Sequence, residues 1–253
     1  MKQKFFIFLQ FIFLLNLSSQ GQNLKSKTLK INNFGIFSIP GFLDTLGQSI
    51  SKRYLIGKNL ELMNKSGIKK IELENKINLA QTYFSNYDST VTLLFPTSTL
   101  MNLLSTDDLL KINTDTANLN FDNLNFSFIS LQKKPGKNHS SLVKKALLSK
   151  SQSDAFLSSM KDFYISLMNT LLPQASIKLI SSDYYNYLEN YPTVKISLKY
   201  SLHETDTSNS YRQDLYCIIR ENYQYIFKFE YKTSDESNWK YYEEQFFKKI
   251  IFQ

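Results

Sequence analysis

The chain has 253 residues, 42% of them hydrophobic and 15% aromatic, with a formal net charge of +8. That length supports one large domain or two small ones with a real hydrophobic core. The positive charge is spread along the chain without an arginine block, which argues against the concentrated basic stripe of a nucleic-acid binder.

The chain starts MKQKFFIFLQFIFLLNLSSQGQ: Lys2 and Lys4 precede an apolar run over residues 5–17, and Ser18, Ser19 and Gly21 follow it. That order reads as a secretory signal cleaved near residue 21, since the run falls short of the about 20 residues that span a bilayer; a retained N-terminal anchor is the alternative. No later segment is apolar for long enough to cross a membrane. The mature chain is therefore expected to be exported, to a periplasm or the cell exterior, with no transmembrane span. Residues 22–33 are polar and basic and read as a flexible lead-in, which leaves 34–253 as a single domain.

FGIFSIP predicts a short strand ended by Pro40. KNLELMNKSG predicts a helix stopped by Gly67, and IKKIELENKINLAQTYF fits helix or strand. TVTLLFP, residues 90–96, predicts a strand closed by proline. TSTLMNLLSTDDLLKIN carries leucines at helical spacing, with Asp107 and Asp108 as acids of a first turn. LNFSFISLQKKPGKN predicts a strand running into a Pro135–Gly136 turn.

Over residues 153–172, Phe156, Met160, Phe163, Leu167 and Leu171 mark one face of an α-helix, and Pro173 stands where it must stop. SIKLISSDYYNYLENYP predicts a strand and then a tyrosine-rich connection. TVKISLKYSL alternates, with Val194, Ile196, Leu198, Tyr200 and Leu202 on one side and Lys195, Ser197, Lys199 and Ser201 on the other. YRQDLYCIIR and YQYIFKFEYK, separated by Glu221 and Asn222, read as a hairpin, so this half forms a three-stranded antiparallel meander. In its last strand Tyr223, Tyr225, Phe227, Phe229 and Tyr231 occupy every second position. Five such rings in water exceed the apolar patch of a soluble monomer, and burying each stabilises by about 2–3 kcal/mol. The row is therefore expected beneath the 153–172 helix, with the polar side of the meander wet. ESNWKYYEEQFFKKIIFQ places Trp239, Tyr242, Phe246 and Ile250 at helical steps. It predicts a terminal helix ending in an extended IIF, with Glu243 and Glu244 on its solvated face.

Catalytic chemistry has little to build on. His139 and His203 lie in polar turns, the latter with Glu204 and Asp206, and neither has metal-ligand spacing. No Gly-x-Ser-x-Gly elbow, phosphate loop or dinucleotide fingerprint is present. No cofactor and no metal is expected. Cys217, the single cysteine, alternates with Leu215 and Ile219 and reads as a small buried apolar group; a reactive thiol or an intermolecular disulfide is the alternative. Asn64, Asn125 and Asn138 sit in glycosylation sequons.

Two candidate contact surfaces remain. One is the polar side of the sheet, with Lys195, Lys199, Lys228 and Lys232 beside Glu230. The other is SSDYYNYLENY, whose Tyr184, Tyr185, Tyr187 and Tyr191 offer stiff contact area or cap a core edge.

FGIFSIPGF, LNFSFISLQKKPG, the 153–172 helix, ENYPTVKISLKYSL, the 211–232 hairpin and SNWKYYEEQFFKKIIF together resemble the PsbP-like α/β/α sandwich. Extrinsic photosystem proteins, a nuclear-import regulator that binds the Ran GTPase and many exported bacterial proteins share that fold. The resemblance is one of element order across most of residues 34–253. It departs from the family in residues 41–125 and in the polar side of the meander, where a full sandwich has helices on both faces. A cystatin-like or NTF2-like helix-on-sheet fold is the alternative within the α+β class. What the resemblance implies is a non-enzymatic binding or adaptor module whose partner is a protein or envelope component. An exported hydrolase using His139 or His203 as base is a rival reading, since triads assemble in space rather than in sequence. A carrier with an apolar cavity between the helix and the aromatic strands is another.

Overall fold

The computed structural model describes residues 26–32, 34–65, 90–103, 127–135, 150–172, 175–188, 191–201, 210–220, 223–247 and 250–252. Residues 1–21, both histidines, Asp107, Asp108, Glu204, Asp206, Asn125, Asn138 and the IKKIELENKINLAQTYF stretch lie outside the described residues. In chain order the elements begin β1 (Ser26–Ile31), β2 (Gly35–Pro40), β3 (Leu43–Leu46), α1 (Gln48–Lys65), β4 (Thr90–Pro96), α2 (Thr97–Leu103) and β5 (Phe128–Pro135). They continue with α3 (Lys150–Leu171), β6 (Ser176–Leu188), β7 (Tyr191–Ser201), β8 (Ser210–Arg220), β9 (Tyr223–Lys232), α4 (Glu236–Phe247) and β10 (Ile250–Phe252).

The chain is α+β. Among the described residues, a seven-stranded sheet runs β3-β4-β5-β9-β8-β7-β6 and a three-stranded sheet runs β1-β2-β10, with every ladder antiparallel. Helix α1 lies against β4, and α3 lies beside it against β6 and β7, on one face of the large sheet. Helix α4 and the small sheet cover the opposite face, where α4 packs on β2 and β9. The polar, basic stretch expected as a lead-in includes an edge strand, β1, paired to β2 along its whole length. Strand β10 approaches β2 so closely that a Cβ on Gly35 would stand 2.5 Å from the Ile251 carbonyl oxygen, so only glycine fits there.

Four of the five rings of the β9 row are core, under a different helix from the one expected, while Tyr223 at the start of the strand is exposed at 36%. Tyr225, Phe227, Phe229 and Tyr231 are buried with Phe34, Phe37, Trp239, Phe246 and Phe247, all from α4 or the small sheet and its approach. Trp239 stacks on Tyr231 with centroids 5.7 Å apart, and Phe246 meets Phe229 edge-on at 5.5 Å, geometries that ring quadrupoles favour. Helix α3 instead packs Tyr164, Met168 and Leu172 over Val194, Ile196, Leu198, Tyr200, Tyr211, Leu215 and Cys217 on the other face. The inter-strand register explains the exchange. Ile196 stands opposite Leu215 and Leu215 opposite Lys228, whereas Lys195 stands opposite Tyr216 and Tyr216 opposite Phe227. The apolar side of β7 and the aromatic side of β9 therefore point to opposite faces, and both faces need cover.

The stripe on α3 is also rotated from expectation. Phe163 is 62% exposed and Leu167 37%, while the buried line runs through Tyr164 and Met168.

Cys217 is buried as expected, and Gln224 Nε2 donates to its Sγ at 2.8 Å. Burial pushes its thiol up to about 11 against the opposing pull of that contact. At pH 8 only about a thousandth of it is thiolate, so reaction with a disulfide reagent is expected to be far slower in the native protein than in denaturant. Equal rates by absorbance in the two conditions would refute this burial.

Candidate functional site

The sequence offers two groups of site residues, and the fold breaks up the first. Lys195 and Lys199 point to the α4 face, Lys228 and Lys232 to the α3 face, so the four lysines share no surface. Their surroundings differ as well. Lys195 donates to Glu243 Oε1 at 2.6 Å, while Lys228 lies 3.1 Å from Glu230 Oε2 and is mostly buried. Only Lys199 among the four is exposed, Lys232 being half-buried.

Each face of the sheet carries a buried polar cluster, and both serve to fasten helices. On the α3 face Glu230 accepts from Lys58 of α1, from Tyr200 at 3.1 Å and from Gln213 at 2.7 Å. Tyr164 of α3 donates to Gln213 Oε1 at 2.5 Å, which ties the second helix to the same carboxylate. Burial works against ionisation of Glu230, yet Lys228 and Lys58 outweigh it and hold the carboxyl at about 2. On the α4 face Arg212 bridges Asp214 at 3.0 Å and Glu236 of α4 at 2.7 Å, and Tyr231 donates to Asp214 at 2.7 Å. Glu243, expected on a solvated helix face, is buried and accepts from Lys195 and Tyr216. Burial and then the Asp214 charge push its carboxyl above the usual carboxylate range.

The carboxylates of Glu230, Asp214 and Glu243 are buried within the fold. Among the described residues, no group of three or more His, Cys, Asp or Glu is placed to hold a metal ion. A shallow groove of about 400 Å³ runs along the outer side of α3, lined by Asp162, Ile165, Ser166, Asn169 and Thr170.

The second predicted group fares differently. Tyr184, Tyr185 and Tyr187 belong to strand β6 rather than to a connection, and Tyr191 opens β7. Beyond α3, which ends at Leu171, the β-branched and aromatic residues of SIKLISSDYYNYL carry the strand to 13 residues. It forms one edge of the large sheet, paired to β7 on one side and to no strand on the other among the described residues. Tyr184 packs on the α3 face, whereas Tyr191 packs on the α4 face with Phe252, so the two rings share no surface.

A bulge between Leu179 and Ser181 adds Ile180 as an extra residue. It reverses which side chains point where. Before it, Ile177 and Leu179 share the α3 face with Tyr200 and Leu198; after it, Ser182 and Tyr184 take that face. On the α4 face, Lys178 stands opposite Lys199 and Lys199 opposite Arg212, a row of three cations across three strands. Asp183 stands opposite Lys195 on the same face. Leu179 is 37% exposed and Ile180 42%. The edge thus combines unpaired backbone groups, exposed aliphatic side chains and one charge of each sign. The bulge and the two exposed residues escaped sequence reading, since the apolar pair Leu179–Ile180 looks like ordinary strand core.

No family model and no curated protein matches the sequence. Among solved structures, the fold is similar to cyanobacterial PsbP (CyanoP) from Synechocystis, with 5% identity and a TM-score of 0.44 over 90% of this chain and 92% of that one. A Pseudomonas aeruginosa protein of unknown function is also similar, with 12% identity and a TM-score of 0.28 over 52% of this chain and 90% of the other.

Proposed function

We propose that the chain is an exported, non-catalytic binding module that holds a protein partner at its β6 edge by accepting an extended segment as an additional strand. The observation that carries this reading is the 13-residue edge strand β6, unpaired on its outer side among the described residues and exposing Leu179 and Ile180 there. Strand addition takes its affinity from main-chain hydrogen bonds and its specificity from alternate side chains. A long bare edge is a liability unless something covers it. Export is read from the basic start and the apolar run over residues 5–17, so the partner would share that compartment. No helix of the described residues is long and apolar enough to cross a membrane.

The test places a photoreactive amino acid at Ile180 and, as a control, at the exposed Tyr241 of α4. Irradiation of the full chain in its native compartment is expected to give a defined adduct from position 180, mapped by mass spectrometry to an extended protein segment, and none of the same identity from 241. Identical adducts from both positions, or none from 180, would remove the reading.

A further inference from the structure

On the reading of β6 as a strand-accepting edge, we infer that the strand it accepts is β6 of a second copy of this chain, in a two-fold antiparallel pairing that sets Lys178 of each copy against Asp183 of the other. A two-fold interface is self-complementary, so whenever residue i meets j, j meets i. Lys178 and Asp183 are the only charged side chains in SIKLISSDYYNYL. Antiparallel pairing about an axis at Ile180–Ser181 brings these two together and does so twice.

In a regular strand this register fails, because residues five apart point to opposite faces. The bulge at Ile180 removes the obstacle. Lys178 stands opposite Lys199 and Asp183 opposite Lys195, which places both on the α4 face. The same shift sets Ile177 against Tyr184 and Leu179 against Ser182, all four on the α3 face. These three pairs then match in face, which a two-fold axis normal to the sheet requires.

Electrostatics points to the same partner. Lys178 faces a like charge across its inner ladder, an unfavourable cross-strand pair. Both lysines are exposed, and among the described residues neither has an ion-pair partner. A carboxylate arriving on the outer side of Lys178 supplies the missing counter-charge, and Asp183 of the second copy is positioned to be that carboxylate. The exposed Leu179 and Ile180 would be covered at the axis, and the two large sheets would run as one.

Sedimentation velocity over a concentration series, on the mature chain, tests this directly. The wild-type protein is expected to dimerise reversibly. Asp183→Lys and Lys178→Asp should each weaken the dimer by about tenfold or more, since each creates two like-charge contacts. The double variant Lys178→Asp with Asp183→Lys restores opposite charges and should recover the wild-type association. Thermal unfolding of each variant checks that the monomer is intact, which Lys178 and Asp183, both exposed, should allow. A monomer at every concentration overturns the inference. So does a dimer indifferent to single charge reversal, and so does one the double variant fails to restore. The Ile180 cross-link separates the two readings: an adduct to a different protein from a monomeric chain ends self-pairing but keeps β6 as a binding edge, whereas no adduct from a monomeric chain ends both.

Discussion

Phe246→Ala is expected to destabilise the protein by about 3–5 kcal/mol, the usual cost of emptying a buried phenylalanine site, while Phe163→Ala should stay within about 0.5 kcal/mol, as exposed substitutions do. Periodicity alone ranks these two the other way, because Phe163 belongs to the strongest helical repeat in the chain and Phe246 sits among glutamates and lysines near its end. The packing reverses the order. Phe246 is fully buried, stacked at 5.6 Å on Phe37 and in edge contact with Phe227 and Phe229 at 5.7 Å and 5.5 Å. Those rings come from two sheets and α4, so no single neighbour can relax into the space. Phe163 is 62% exposed. Urea unfolding of both variants, compared by midpoint at constant m-value, measures the contrast. Similar losses in the two would mean that α3, and not α4, covers the aromatic row.

Much of the fold was legible because its strands carry their own period. TVTLLFP forms β4 over the residues expected, the hairpin of YRQDLYCIIR and YQYIFKFEYK forms β8 and β9, and the terminal helix gives way to a short strand. What could not be read was which helix covers which face. Alternation assigns side chains to two sides of one strand but does not say how the sides of neighbouring strands align. That depends on turn register, and a shift of one residue exchanges the faces. Alternation alone therefore joins the apolar side of β7 and the rings of β9 into one surface, and the four lysines with them. Burial of Glu243 is not legible in the sequence for a related cause. A glutamate beside another glutamate on a short helix looks solvated until Lys195 and Tyr216 are found beneath it. At the candidate edge, the tyrosine-rich stretch is visible in the sequence, yet the bulge that sorts its side chains depends on pairing with β7, which no local pattern encodes.

The second large effect belongs to the ion pair between Lys58 and Glu230. Glu230→Gln is expected to cost about 3–5 kcal/mol, because it leaves the Lys58 ammonium buried without a counter-charge. The amide keeps an acceptor for Tyr200, so the loss reports charge more than hydrogen bonding. Lys58 has the ring of Phe128 at 4.3 Å, too weak a partner to replace a carboxylate. Removing the cation as well, in Lys58→Met with Glu230→Gln, should recover most of the stability, as apolar or neutral replacement of a buried pair commonly does. The pH dependence follows from the same contacts. The Glu230 carboxyl ionises at about 2 in the folded chain against an ordinary value of 4.5, so its contribution is fully present above about 4.5 and is lost as pH falls towards 2. That difference corresponds to about 3 kcal/mol. Glu243 has the opposite sign: its raised carboxyl takes up a proton in the folded chain first, so acid relieves rather than weakens it. Between pH 4.5 and 2, then, wild-type stability should fall more steeply than that of Glu230→Gln, and urea titrations across this window should show the two curves converging as the pH drops. Parallel curves would mean that the lysines do not hold Glu230 ionised, and that α1 is fastened to the sheet by packing alone.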